Sequence, residues 1–363
     1  MTHPTIEDAR ELSDWRPPLG VVSVYLRFDP GDRSGAWRTE LRNGVERALE
    51  PAAEAEHAQR MALRETARRL LERFDGKELR PPPLGEAGFV EVSETGGREH
   101  WWGSAVPPTT ATVALGEQPT VAPLVELCGR GEGCGIALLS AERVRLLRFE
   151  AGALAQIDEW ELSITSGDWR ERKARSSSDP ARGHGVSSSG HDQYEERLEH
   201  NRKRFLAECG GLVAERLRGE GLGEVIAFGP KVDAECFQSG LGSTPLQAEL
   251  GADADLISMP TAQLTEPVTA AVERLTRERD RELVTRAIGG AQGGSRGATG
   301  VQETLAALGE GRVEHLAFDA TIGDPAEPLV RGALAGGAGV TVVRDGIAEL
   351  LQPAEGVAAL LRY

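Results

Sequence analysis

Val313-Glu314-His315-Leu316-Ala317-Phe318, then Asp324-Pro325 opening a helical stretch, then Val340-Thr341-Val342-Val343, is the part of the chain from which the fold class is read. Both runs are short and bounded by turn residues, the first mostly apolar and the last β-branched throughout, as strands are. Asp324 is an N-cap candidate, and proline suits the first helical position because its missing N–H would be unbonded there anyway. Strand, helix, strand predicts a parallel pair joined by a right-handed crossover, closed by Val357 to Tyr363.

Upstream of that unit, Leu264, Val268, Val272, Leu275, Leu283 and Ile288 recur at helical spacing. Gly289-Gly290-Ala291-Gln292-Gly293-Gly294 reads as a flexible connector because glycine is costly inside helices. Thr299 to Gln302 fits a capping box ahead of the stripe Val301, Leu305 and Leu308. The span 261–363 is therefore expected to be a compact α/β sandwich.

The preceding span, 131–260, opens with a hairpin pattern, Ile136 to Ser140 and Val144 to Phe149, followed by a strand over Leu154 to Leu162. A long helix is predicted past Gly190, with Tyr194, Leu198, Phe205, Cys209, Leu212, Val213 and Leu217 on its apolar stripe. Val225 to Gly229 and Asp255 to Ser258 are further strand candidates. A central sheet covered by helices follows.

In the first span, 1–130, Val21-Val22-Ser23-Val24-Tyr25-Leu26-Arg27-Phe28 is a strand, and helical periodicity runs from Ala36 to Phe74. Gly88 to Val92 and Thr109 to Leu115 look like more strands, and Gly129-Arg130-Gly131-Glu132-Gly133 like a linker. The fold class expected is α/β, with three α/β domains in sequence.

Composition limits what such a body does. The chain has 363 residues, 40% hydrophobic, and a formal net charge of -16. No apolar run approaches the roughly 18 residues of a membrane helix, and the N-terminus lacks a signal-peptide core, so a cytoplasmic protein without membrane attachment is expected. Four scattered cysteines, 128, 134, 209 and 236, form no repeated pair and point to a reducing compartment.

One stretch departs from the acidic average. Residues 170–193 begin Arg170-Glu171-Arg172-Lys173-Ala174-Arg175, pass through a Ser/Gly/His-rich run and end at Gly190-His191-Asp192-Gln193. Within 170–191, Arg170, Arg172, Lys173, Arg175 and Arg182 face only Glu171 and Asp179. With a screening length of about 8 Å at physiological salt, such a tip acts almost independently of distant acidic surface, and a polyanion is its natural neighbour. Phosphate contacts are expected from those five side chains, and hydrogen bonds to sugar and base edges from His184, His191 and Gln193. Arg202 and Lys203 are weaker, helix-borne candidates, and Trp169 is placed to stack on a base.

Enzyme motifs fail in turn. Gly185-Val186-Ser187-Ser188-Ser189-Gly190 misses the nucleophile-elbow spacing, no phosphate-binding loop or HExxH is present, and Gly219, Gly221 and Gly223 follow a helix instead of a strand. His184, His191 and His200 are irregularly spaced for a metal. No cofactor and no metal are expected.

The chain resembles the archaeal and eukaryotic class I release factor and Pelota superfamily, and more closely its bacterial branch with the Balon-like ribosome hibernation factors. The resemblance rests on the opening Val21 to Leu26 strand with its helices, on Gly190-His191-Asp192-Gln193-Tyr194-Glu195-Glu196-Arg197, and on Gly311-Arg312-Val313-Glu314-His315-Leu316 with Leu360-Leu361-Arg362-Tyr363. It implies that the last sandwich is like the release-factor C-terminal domain. It also implies a tRNA-shaped factor in the aminoacyl-tRNA site of the ribosome, with rRNA near the peptidyl-transferase and decoding centres as partner, and EF-Tu or stalk-base proteins meeting the last domain.

In the superfamily's hydrolytic members a Gly-Gly-Gln tip positions the water that attacks peptidyl-tRNA. Here Gly190 is followed by His191 and Asp192 before Gln193, and an aspartate beside the ester opposes the developing negative charge. A non-catalytic hibernation factor is therefore expected, with a peptidyl-tRNA hydrolase using Gln193 as the alternative. A ribosome-independent protein-interaction module is the weakest reading.

Overall fold

The computed structural model describes residues 3–29, 31, 35–50, 56–75, 84–104, 106–131, 133–150, 152–162, 189–250, 256–294 and 296–363, with the side chains of 189–195 and 246–250 outside the description. Three separate sheets are present among these residues. The chain forms two compact units, one of residues 133–275 and one of residues 1–132 with 276–363.

In the second of these units, β1 (Val21–Arg27), β2 (Gly85–Glu91), β3 (Glu99–Ser104) and β4 (Thr112–Gly116) form a sheet of order β3-β2-β1-β4, with β1 antiparallel to both neighbours. Strand geometry sends successive side chains to opposite faces. Val22, Val24 and Leu26 meet Trp37, Leu41 and Val45 of α2 (Ala36–Leu49) and Leu63, Leu70 and Phe74 of α3 (His57–Phe74). Val21 and Tyr25 meet Leu12 of α1 (Ile6–Ser13) and Leu124 and Leu127 of α4 (Ala122–Gly131). Burial on both faces is why β1 reads as a nearly continuous apolar run. Tyr25 donates its hydroxyl to Thr120 O at 2.5 Å, and burial pushes its pKa well up.

The same unit holds the C-terminal sheet, β10 (Gly297–Thr299), β11 (Val313–Asp319), β12 (Gly339–Val343) and β13 (Val357–Leu361), in the order β10-β13-β11-β12. β11 and β12 are parallel, with His315 opposite Gly339, and β13 is antiparallel to β10 and β11. Its helices are α8 (Val301–Gly309), α9 (Ala326–Ala335) and α10 (Asp345–Leu351). Leu329, Val330 and Leu334 of α9 share one core with Leu124 and Leu127 of α4. Glu327 accepts from Val121 N at 3.0 Å and Ala122 N at 2.9 Å, so a carboxylate from α9 satisfies the open donors at the start of α4.

Residues 133–275 build the third sheet from β5 (Cys134–Ser140), β6 (Arg143–Glu150), β7 (Ala153–Glu161), β8 (Val225–Gly229) and β9 (Leu246–Leu250), ordered β7-β6-β5-β8-β9. β5 to β7 form an antiparallel meander, and β5, β8 and β9 run parallel. On one face Ala137, Leu139, Val144 and Leu146 pack against α5 (Ser189–Gly219) and α6 (Lys231–Leu241). On the other, Ile136, Leu138 and Leu147 pack against Leu264 and Val268 of α7 (Thr261–Gln292). No helix among the described residues is long and apolar enough to cross a membrane.

Several local expectations are corrected. The supposed linker at 129–133 is largely the end of α4, because Leu124, Leu127 and Cys128 recur at helical steps and are buried, outweighing the glycines. Gly289 to Gln292 is the last turn of α7, not a flexible connector. A Cβ at Gly290 would lie 2.8 Å from the Arg296 carbonyl, so glycine is there to let the helix approach β10 closely. Leu256–Ser258 is a 3₁₀ turn, not a strand. Thr299 lies in β10, and the N-cap of α8 is Gly300 without a side-chain cap; Glu355 Oε2 instead accepts from Val301 N at 3.0 Å. Leu212 is exposed, since the buried stripe of α5 runs through Leu206, Cys209, Val213 and Leu217.

Candidate nucleic-acid interface

The basic stretch is inserted between β7, which ends at Glu161, and α5, which starts at Ser189. β7 is an edge strand paired only with β6, and Leu162 N donates to Glu142 O at 2.8 Å just beyond it. α5, at 1.5 Å per residue, is roughly 46 Å long. Its described first part, 196–204, contains no buried residue, and its grip on the sheet begins at Phe205 and Leu206.

Glycines set how closely α5 lies on α6. A Cβ at Gly240 would lie 2.8 Å from the carbonyl carbon of Ala207, and one at Gly210 would lie 3.1 Å from Gly240 Cα. Two helix backbones meet there, with Phe237 fully buried beside them. The segment 205–217 is thus held by packing.

Arg170, Arg172, Lys173, Arg175, Arg182 and His184, and Trp169 with them, lie outside the described residues. His191 and Gln193 fall in the first turns of α5, their side chains outside the description. Arg202 and Lys203 are described, and each has a carboxylate partner: Arg202 Nη2 bonds Glu142 Oε1 at 2.5 Å, and Lys203 Nζ bonds Glu199 Oε1 at 2.6 Å. Arg204 pairs with Glu208 at 2.8 Å.

Carboxylates surround the foot of the insertion. Arg143 pairs with Glu159 and stands 3.4 Å from Glu161. Burial raises the Glu159 pKa, but hydrogen bonds from Arg143 and Gln156 outweigh it and hold the carboxyl below its usual range. Ser140, Glu142, Arg143, Glu161, Leu162, Ile257 and Ser258 line an open cleft of about 450 Å³ at this foot. Its two carboxylates against one guanidinium make it unsuited to phosphate.

Sequence reasoning missed the cation that organises this end of the sheet. Arg145 of β6 is buried and donates to Ile257 O at 2.8 Å, Met259 O at 2.7 Å, Gln156 Oε1 at 2.9 Å and Thr261 Oγ1 at 3.2 Å. It ties the 3₁₀ turn and the start of α7 to the meander, satisfying carbonyls that no helix or strand uses. Its signal was an arginine at an inward position of the strand pattern Val144-Arg145-Leu146-Leu147. Cys209, also in this unit, is pushed by burial up to about 12, which makes it a packing residue and not a nucleophile.

Among the described residues no group of His, Cys, Asp and Glu is arranged to hold a metal. The described geometry supplies a firm helical stem and an acid-rimmed foot for a basic segment.

The middle of the chain is similar to the bacterial archaeo-eukaryotic release factors. Residues 119–279 match the model of Bacterial archaeo-eukaryotic release factor family 10, a span that encloses the third sheet, the basic insertion and α5. No curated protein matches the sequence. Among solved structures, an archaeal protein aligns with 100% of this chain and 99% of its own at 17% identity and a TM-score of 0.28. The archaeal translation termination factor aRF1 aligns over 99% and 98% at 18% identity and 0.27. Archaeoglobus fulgidus Pelota aligns over 100% and 94% at 12% identity and 0.32.

Proposed function

We propose that the chain is a ribosome-binding translation factor that occupies the aminoacyl-tRNA site of idle ribosomes without hydrolysing peptidyl-tRNA. The observation that carries this reading is the release-factor family match over 119–279, which contains the chain's most basic segment and the Gly190-His191-Asp192-Gln193 start of α5. Arg170, Arg172, Lys173, Arg175 and Arg182 neutralise rRNA phosphates, while His184, His191 and Gln193 bond sugar and base edges. Arg202 and Lys203 join them by exchanging exposed carboxylates for phosphates, since such surface pairs are worth only about 0–1 kcal/mol. The factor works in the cytoplasm, and EF-Tu or stalk-base proteins meet its C-terminal sheet.

Replacement of Gly-Gly-Gln by Gly-His-Asp-Gln supports the non-catalytic role, because an aspartate next to the scissile ester disfavours an oxyanion. Co-sedimentation with ribosomes at rising salt tests the binding. Replacing Arg170, Arg172, Lys173 and Arg175 by Ala flattens the salt slope by roughly 0.7–0.9 per lost contact. An unchanged slope removes the basic segment as the RNA contact. Single-turnover hydrolysis of ribosome-bound peptidyl-tRNA separates the two roles. Product that disappears in Gln193→Ala establishes the rival peptidyl-tRNA hydrolase, with Gln193 positioning water.

A further inference from the structure

Outside the span 133–275 that carries the basic insertion, the unit of residues 1–132 and 276–363 gathers three arginines from three elements. Arg27 ends β1, Arg130 lies in the last turn of α4, and Arg344 links β12 to α10. Strand alternation puts Arg27 on the same face of β1 as Tyr25, which packs against α4, and its strand partner Gly85 lies beside Pro107. Glu126, buried one turn before Arg130, forms an ion pair with Arg344, accepts from Thr109 Oγ1 at 2.5 Å and stands 3.6 Å from Arg130 Nη1.

The remaining polar contacts are neutral. Arg344 Nη2 donates to Thr109 Oγ1 at 2.6 Å, and Arg130 Nη1 donates to Pro107 O at 2.6 Å. Arg27 is exposed and has no ion pair or side-chain hydrogen bond among the described residues. The arginines act on one another: burial lowers the Arg130 pKa first, the charge of Arg344 lowers it further, Glu126 partly offsets this, and Arg27 again lowers it.

Charge counting makes the cluster unusual for a chain of net charge -16. Among the described residues Glu126 is the carboxylate paired with both Arg130 and Arg344, and the C-terminal end of α4 contributes only about half a negative charge. A clasp between α4 and the β12–α10 junction needs only Glu126 and Arg344. Arg27 and Arg130 are surplus to it, and like charges are not brought together without compensation. The side chains of Arg130 and Arg344 are 34% and 30% exposed, so a ligand reaches them from solvent. Each guanidinium carries five N–H donors in a planar fork that matches phosphate oxygens, and each of these two has only one nitrogen engaged among the described residues.

We propose that Arg27, Arg130 and Arg344 form a binding site for a phosphate group, with Glu126 and Thr109 fixing the Arg344 fork and Pro107 O steering Arg130. The ligand is a phosphate of an RNA strand or of a small phosphorylated molecule. The site goes beyond the ribosome-binding reading and does not rest on it.

Isothermal titration of the full chain, without ribosomes, tests this. Arg170, Arg172, Lys173, Arg175 and Arg182 are first replaced by Ala so that none of the insertion's five cations contributes phosphate affinity. The probes are inorganic phosphate, adenosine 5′-monophosphate and a uridine decamer. Saturable binding is expected, weakened about tenfold by Arg27→Ala, the loss typical of one charge-assisted hydrogen-bonding group. Arg27→Ala leaves the melting temperature unchanged because its side chain has no ion pair or hydrogen bond among the described residues. Binding of the small probes identifies a small phosphorylated ligand; binding of the decamer alone identifies an RNA backbone. If no probe binds saturably, or if Arg27→Ala and Arg27→Ala/Arg130→Gln bind like the parent, the site does not exist.

Discussion

Replacing Gly240 by Ala probes the contact that holds the stem of the basic segment. In an isolated helix the change is favourable by about 1 kcal/mol, because alanine loses less backbone entropy. Here the new Cβ lies inside 3.0 Å of the Ala207 carbonyl, and both sides of the clash are backbone. Ordinary contact begins at 3.4 Å, so α5 and α6 must part by roughly 1 Å, a gap that already forfeits a quarter to a half of each local dispersion contact. Overpacking of this kind costs about 3 kcal/mol. Gly211, on the facing helix α5, is the internal control: its Cβ meets nothing closer than Gly240 O at 3.7 Å. Gly211→Ala is therefore expected to stabilise by about 0.5–1 kcal/mol. Thermal melting followed by circular dichroism should lower the transition by roughly 6–12 °C for Gly240→Ala and raise it slightly for Gly211→Ala. Equal shifts of one sign for both would show that propensity, and not helix approach, decides these positions.

Three further outcomes follow from other sites. Arg145→Met leaves the carbonyls of Ile257 and Met259 without their donor and should cost about 3 kcal/mol in urea unfolding; a loss below about 1 kcal/mol would mean that water replaces the guanidinium. Burial lowers the pKa of His100 and His315, so the folded state binds fewer protons than the unfolded one near pH 6. Their stabilising contribution is complete above about pH 6.5 and is lost as pH falls, and His100→Gln/His315→Gln should flatten the melting temperature between pH 7.5 and 5.5, whereas a parallel curve would refute it. Gly88→Ala pushes against the Trp101 ring, 2.5 Å from its Cη2, and should tilt it from beneath the Arg73 guanidinium; tryptophan emission that matches the parent in position and intensity would contradict this packing.

Elements with a strong period were legible before any coordinates. Val313 to Phe318 and Val340 to Val343 are the parallel strands expected of them, and the hairpin over 136–149 is β5 with β6. Others were hidden. α1 is only eight residues long, and its one mark is Thr5 with Asp8, a reciprocal cap. β3 is an edge strand carrying His100, Trp101 and Trp102, whose rings pack against Trp15, Phe74 and Phe89 instead of alternating cleanly with polar residues. Of the proposed RNA-contacting residues, the sequence marked the charge segregation at 170–193, which any reading of composition finds. It did not mark the Arg27, Arg130 and Arg344 cluster, because those residues are more than two hundred positions apart at the extremes.

What the sequence determines by itself is local: the periodicities that make strands and helices, the turn chemistry between them, and one cationic stretch in an acidic chain. Tertiary structure decided the rest, because packing weighs distances that no window of sequence contains. Glycines 129, 131, 289 and 290 read as breaks, yet they are helical, since the apolar stripe of α4 and the close approach of β10 to α7 outweigh their entropic cost. The partners of Glu126, Arg145 and Glu327 were decided in the same way, by which carbonyls, amides and charges the fold left needing one.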